Sequence, residues 1–282
     1  MTPRDPASVV GANADVLTSE REKLDAGERL LGRDAAALFV PDLSFSRGDA
    51  AQTAEWLFAA GNAARKICRS VSARLSFVRA LIERTGIDEG DLFPVLPEGQ
   101  PTRVIYARVG AADRAYRLVS AILSDPRVGY AETNLDAAEG VDAGDADLLL
   151  LPYADAAGNP VLSTRSLAET HGLYLCALAR VKTGDGLLYG LFGRAILSDR
   201  YGRVALHLSL PEPDAATAGE LYAVADAAGL IPDGAHFPRE GRATLAVAGK
   251  REDALAAAVY HLTFFPGCEL RGWRAEKPLS ER

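Results

Sequence analysis

From Arg203 onward the apolar positions fall on alternate residues: Val204, Leu206, Leu208 and Leu210, with Arg203, His207 and Ser209 among those between. A period of two marks a half-buried strand. The spacing changes after it: Leu221, Val224 and Ala228 recur as they would on one face of a helix over 217–228, and Gly229 follows as the residue that stops it. A short segment over 231–238, a turn over 239–242, a strand over 243–248, a helix over 252–262 and a last strand through Cys268 and Trp273 complete the series. Strand, helix, strand, strand, helix, strand is the order of the split βαβ sandwich.

Upstream the pattern differs. Residues 1–95 read as helical, with apolar residues at three- and four-residue spacings over 14–38 and 50–84. The second stretch carries Arg65, Lys66, Arg69, Arg74, Arg79 and Arg84 among Ile67, Val71, Leu75, Val78 and Ile82, which predicts one long helix shared by cations and apolar groups. Three prolines and a glycine over 93–101 then interrupt it. Between 102 and 200 a strand over 103–109, Gly110, a helix over 112–123, a strand over 128–132, a short helix capped by Asn134 or Asp136, and the apolar strand at Leu148 alternate. Such β-α-β-α-β order predicts a parallel sheet whose ligands lie beyond the carboxyl ends of its strands. Two apolar stretches over 173–181 and 187–197, joined by Gly184 and Gly186, read as a hairpin. The expected organisation is α/β: a helical region over 1–95, a parallel βαβαβ domain over 102–200 and a βαββαβ domain over 203–275.

Composition narrows the function. The chain has 282 residues, 48% of them hydrophobic and 24% charged, with a net charge of −7. Nucleic-acid binding needs a concentrated cationic face, and no long cluster of Lys and Arg occurs. Cys68, Cys176 and Cys268 are scattered in apolar contexts, as buried thiols are, which suits a reducing cytoplasm. No run approaches the roughly 18 apolar residues of a membrane span, and the first residues contain no secretory apolar core, so neither membrane insertion nor secretion is expected. His171, His207, His236 and His261 share no ligand spacing, and no glycine-rich loop stands between a strand and a helix, so neither a metal nor a nucleotide cofactor is expected.

The segment over 203–273 resembles an ACT domain, the regulatory unit that binds amino acids at its dimer interface. The middle segment, with Gly110 after its first strand, the stretch Ala143-Gly-Asp-Ala-Asp-Leu-Leu-Leu-Leu-Pro152, and Ser163-Thr-Arg-Ser-Leu167 beyond it, is similar to the first lobe of a prephenate dehydratase. Those enzymes join a periplasmic-binding-protein-like catalytic domain to an ACT domain, in some cases behind a helical chorismate mutase. The resemblance implies an aromatic-pathway lyase, a small carboxylate substrate, an aromatic amino acid at the ACT-like domain and a homodimer. Tyr153, Ala154 and Asp155 stand where the family carries Glu-Asn-Ser. Tyr189-Gly-Leu-Phe-Gly-Arg194 replaces its Thr-Arg-Phe, Gly234-Ala-His-Phe-Pro238 replaces its Glu-Ser-Arg-Pro, and the second lobe is missing.

Expelling carbon dioxide and hydroxide from prephenate requires cations for the carboxylates and a proton donor for the departing oxygen, inside a closed cleft. Thr164, Arg165 and Arg194 are the candidate catalytic contacts, with Asp113, Tyr153, Ser163 and Tyr189 as substrate contacts. The plainer alternative makes Thr164 or Ser163 the N-cap of a helix over 166–171, with Arg165 solvated, and makes Tyr189 and Arg194 a half-buried pair at a domain junction. Arg65, Arg69 and Arg79 either clamp a dicarboxylate as in helical chorismate mutases or form a solvated face. Three functions stay open: a lyase acting on prephenate or a relative, a non-catalytic ligand sensor or partner subunit on the same scaffold, and a chorismate mutase within 15–90.

Overall fold

The computed structural model describes residues 6–39, 49–155, 157, 159–182, 187–197, 201–211, 214–236 and 242–281, with side chains from residue 19 onward except those of 39, 215 and 216. The expected hairpin turn at Gly184 and Gly186, and all but Arg242 of the turn expected over 239–242, lie outside the described residues, but the strands flanking them pair antiparallel.

The helical start is built from α1 (Pro6–Phe39), α2 (Ala50–Ala64), α3 (Val71–Thr85) and the single turn α4 (Glu89–Leu92). The one helix expected over 50–84 is therefore two, because Ser70 turns extended and its hydroxyl accepts the Ala73 amide at 3.1 Å. A serine that caps a new helix competes with continuing the old one. Gly86, left-handed at φ 69°, ends α3.

The alternating middle gives β1 (Arg103–Ala107), α5 (Ala112–Ser120), β2 (Arg127–Ala131), α6 (Asn134–Asp142), β3 (Leu148–Ala154), α7 (Leu162–Thr170), β4 (Tyr174–Arg180) and β5 (Leu188–Gly193). β1 pairs parallel with both β2 and β3, as the alternation predicts, and the β4–β5 hairpin joins antiparallel to β3. α6 begins earlier than expected: Thr133 is its N-cap, in a reciprocal capping box with Asp136. α7 also starts before its expected cap, at Leu162 behind Val161, so Thr164 lies inside the helix and caps nothing.

The third segment forms β6 (Arg203–Pro211), α8 (Ala215–Ala228), β7 (Ile231–His236), β8 (Arg242–Lys250), α9 (Arg251–Phe264) and β9 (Glu269–Ala275), followed by β10 (Leu279–Ser280). Its strands run β9-β6-β8-β7, every neighbouring pair antiparallel, which is the split βαβ topology read from the sequence. Gly229 closes α8 at φ 75°, as its position predicts. β10, too short to carry a period of its own, pairs parallel with β4.

Among the described residues all ten strands belong to one sheet, ordered β2-β1-β3-β5-β4-β9-β6-β8-β7 with β10 off this path beside β4. The join is the parallel pairing of Leu175 in β4 with Gly272 in β9, where a Cβ on residue 272 would stand 2.8 Å from the Leu175 carbonyl oxygen. Helices α2 and α3 close against α8 and α9 over the alternating leucines of β6, so one apolar core spans the first and last segments. Arg79 binds Asp253 at 2.9 Å, Arg65 donates to the Phe264 carbonyl, and Arg251 pairs with Glu89.

Helices α2 and α9 approach closely at Gly61, where a Cβ would fall 2.0 Å from the Thr263 carbonyl oxygen of α9. Gly61→Ala is expected to force the two helices apart and cost about 1–3 kcal/mol. Gly219→Ala in α8, where a Cβ meets nothing within 4 Å, is expected to stabilise by about 0.5–1 kcal/mol. Opposite shifts of the urea midpoint at constant m-value are the check.

Candidate ligand site at the carboxyl ends of β1 and β2

The sheet separates the residues that the sequence groups together. Tyr189 belongs to the core on the α5 side with Tyr106, Ala112 and Ala115, and Asp113 starts that same helix. Tyr153 and Ala168 of α7 belong to the core on the α6–α7 side. Along β3 a second division appears: Pro152 pairs with Tyr189 at one end and Leu148 with Gly193 at the other, so Arg194 follows the end remote from Thr164.

Most of these groups already hold protein partners. The Thr164 hydroxyl, buried, donates to the Pro152 carbonyl at 2.5 Å. Arg165 spans Glu169 at 3.0 Å and the Arg242 carbonyl of β8 at 3.2 Å. Arg194 meets Asp142 at 2.5 Å, and the other oxygen of that carboxylate meets His171 Nδ1 at 2.5 Å, which together with Arg194 holds the Asp142 carboxyl below its ordinary range. Ser163 is exposed on α7. Tyr189 is buried, and its hydroxyl accepts the Ala111 amide at 2.9 Å. The backbone donor of the β1–α5 turn, where α/β sheets take anions, is thus occupied from within.

Tyr153, Thr164 and Arg165 do come together where α7 meets the last four strands: Thr164 reaches the carbonyl of Pro152 next to Tyr153, and Arg165 reaches β8. Across that junction stands Arg274 of β9, only 4% exposed, a residue the sequence did not single out. Its Nε donates to His207 Nε2 at 3.0 Å, its Nη1 to the carbonyls of Ala275 at 2.8 Å and Glu276 at 3.0 Å, and its Nη2 to Asp233. Burial first, then the Arg274 charge, pushes His207 well below its ordinary value and keeps it the neutral acceptor this bond needs. Burial raises the Tyr153 phenol, with Arg274 opposing. Four of the five guanidinium N–H groups thus go to protein acceptors, so this cluster fastens β6, β7 and β9 together.

An open constellation remains at the carboxyl ends of β1 and β2. β2 is the edge of the sheet and α5 covers β3, β4 and β5 in its place, so Tyr130 stands 55% exposed, with Val128 on the same side of the strand. The Tyr106 ring backs it at 5.4 Å, nearly perpendicular, and Tyr116 of α5 lies 5.5 Å from Tyr106. Arg108 lays its guanidinium 4.9 Å over the Tyr130 ring and meets Asp113 through Nη2 at 2.8 Å and Nε at 3.3 Å. The other Asp113 oxygen accepts the Tyr106 hydroxyl at 2.8 Å. Arg108 first and Tyr106 second depress the Asp113 carboxyl, which stays ionised. Of this group the sequence picked out only Asp113, although Arg108 at a strand end and three tyrosines at 106, 116 and 130 were the available signal.

Of the arginines considered as a mutase clamp, Arg65 and Arg79 bind α9 at Phe264 and Asp253, and Arg69 is exposed. Among the described residues no group of three or more His, Cys, Asp or Glu gathers to hold a metal ion, and no helix is long and apolar enough to cross a membrane. A half-open cavity of about 350 Å³ between Leu96, Ile122, Leu197 and Tyr201 lies away from these charged groups.

No family model and no curated protein matches the chain. Among solved structures it is similar over 64% of its length to a prephenate dehydratase from Streptococcus mutans, covering 100% of that chain at 12% identity and a TM-score of 0.48. A prephenate dehydratase from Arthrobacter aurescens in complex with L-Phe is similar over 62% of this chain and 92% of its own, at 14% identity and a TM-score of 0.48. A protein described as GqqA, a novel type of quorum quenching acylase, is similar over 62% of this chain and 96% of its own, at 17% identity and a TM-score of 0.47. These likenesses are of a distant fold relationship, and none bears on activity.

Proposed function

We propose that the chain is a non-catalytic binder of a small carboxylate, a sensor or partner subunit on a prephenate-dehydratase-like scaffold with an ACT-like C-terminal unit, and that Arg108 receives the ligand's carboxylate. One observation carries the reading: the sheet places Thr164 and Arg165 on one face, Tyr189 and Asp113 on the other, and Arg194 at the far end of β3. Decarboxylation with dehydration needs its cations and its proton donor around one substrate in a cleft sheltered from water. The competing reading, a lyase using Thr164, Arg165 and Arg194, requires those three side chains to leave the Pro152 carbonyl, Glu169 and Asp142 and converge.

Incubating the purified chain with prephenate and with chorismate is expected to leave both unconsumed. Calorimetric titration with 3-phenylpropionate is expected to saturate and to lose about tenfold or more in affinity in Arg108→Ala, the scale of one charge-assisted contact. Turnover of prephenate overturns the proposal, and so does carboxylate binding that ignores Arg108→Ala.

A further inference from the structure

We infer that the ligand of this site is an α-amino acid with an apolar or aromatic side chain, its zwitterion inserted between Arg108 and Asp113 and its side chain laid on Tyr130. The inference rests on the carboxylate-binding reading and adds the ammonium and the side chain to it. Two charges of opposite sign stand side by side at the strand ends, both outward: the Arg108 side chain is 60% exposed and that of Asp113 is 44% exposed. An ion pair so exposed is weak, and opening it costs little. A molecule carrying carboxylate and ammonium on one carbon replaces the pair with two charge-assisted contacts and leaves neither partner uncompensated. A carboxylate alone satisfies Arg108 and strands Asp113, and an amine alone does the reverse.

Asp113 is positioned for the ammonium from behind. The Tyr106 hydroxyl holds one carboxylate oxygen, and Tyr106 of β1 is itself buried in the core on the α5 side, so the oxygen facing Arg108 is the one left for a ligand. The side-chain preference comes from the uncovered edge. The Tyr130 ring carries the planar Arg108 guanidinium on one face and is itself 55% exposed, and Val128, two residues earlier on the same side of β2, is 41% exposed. An aromatic ring or a branched aliphatic group buries these surfaces, whereas a charged side chain does not.

The test titrates the full chain with L-phenylalanine, 3-phenylpropionate and 2-phenylethylamine, which share the ring and differ in the two charges. L-Phenylalanine is expected to bind about tenfold or more tightly than either single-charge probe. Asp113→Asn, which keeps an acceptor for Tyr106, is expected to remove that advantage by weakening L-phenylalanine while 3-phenylpropionate, no longer opposed by the Asp113 charge, binds at least as tightly as before. Tyr130→Ala is expected to weaken all three probes. Equal affinity for L-phenylalanine and 3-phenylpropionate, or indifference of phenylalanine to Asp113→Asn, overturns the amino-acid inference and leaves the carboxylate reading standing. Failure of every probe to bind overturns both.

Discussion

Replacing Arg274 by methionine is expected to cost about 3 kcal/mol, among the largest losses for a single side chain in this protein. Methionine keeps the unbranched stem and removes the fork. Four acceptors then lose their donor at once: His207 Nε2, the Ala275 and Glu276 carbonyls, and Asp233. His207 is half-buried and the Asp233 side chain is 35% exposed, so hydration recovers part of both losses, which holds the figure to the lower end of the range for broken buried pairs. Lysine is not a rescue, because one ammonium cannot reach a ring nitrogen, two carbonyls and a carboxylate in the planes a guanidinium serves. Urea unfolding of Arg274→Met and Arg274→Lys at constant m-value measures the cost, and a double-mutant cycle with Asp233→Asn isolates the strand-to-strand part. A loss under about 1 kcal/mol in Arg274→Met would mean that the fork is not what fastens β7 to β6 and β9.

The same residue shows what the sequence could and could not disclose. Strands and helices of the last segment were legible because each carries its own period: Leu206 and Leu208 alternate, Leu221 and Val224 recur helically, and Gly229 marks a stop. The parallel β1–β2–β3 core was legible from alternation alone. Arg274 was not, because its partners come from three strands whose adjacency is tertiary. Nor was the joining of all strands into one sheet, which turns on the close approach of Gly272 to Leu175, two residues far apart in the chain. For the candidate site the failure has a different cause. Thr164 and Arg165 read as site residues because they follow a strand in the manner of a ligand loop, but α7 begins two residues before Thr164 and turns its hydroxyl inward to Pro152. Arg108 and Tyr130 read as ordinary strand residues, and only the edge position of β2, with α5 displaced toward β4, leaves them open.

Acid is expected to destabilise the protein steeply below about pH 6.5, with His261 as a principal cause. Its ring lies in α9 at 1% exposure, stacked 5.3 Å from Phe265, with Nδ1 against the Ala257 carbonyl at 2.6 Å and Nε2 without a hydrogen-bond partner. Burial lowers it from 6.5 to about 4, with the Ala257 bond and the Glu220 charge opposing. The folded chain therefore declines a proton that the unfolded chain accepts once the pH falls past about 6.5, so unfolding takes up protons and stability falls with pH until the folded ring also titrates near 4. Between about pH 7.5 and 4.5 that window is worth about 2–3 kcal/mol from His261. His207, also depressed, adds in the same direction. Carboxylates held low by cations, Asp113 and Asp142 among them, keep their stabilisation until lower pH, so the two histidines dominate the upper part of the acid limb. Urea midpoints across this range for the parent chain and for His261→Gln, which removes the titration, separate the effect from general acid unfolding. A parallel pH dependence in the two proteins would mean that His261 accepts its proton as readily folded as unfolded, and the slope near pH 6 would then have to come from elsewhere.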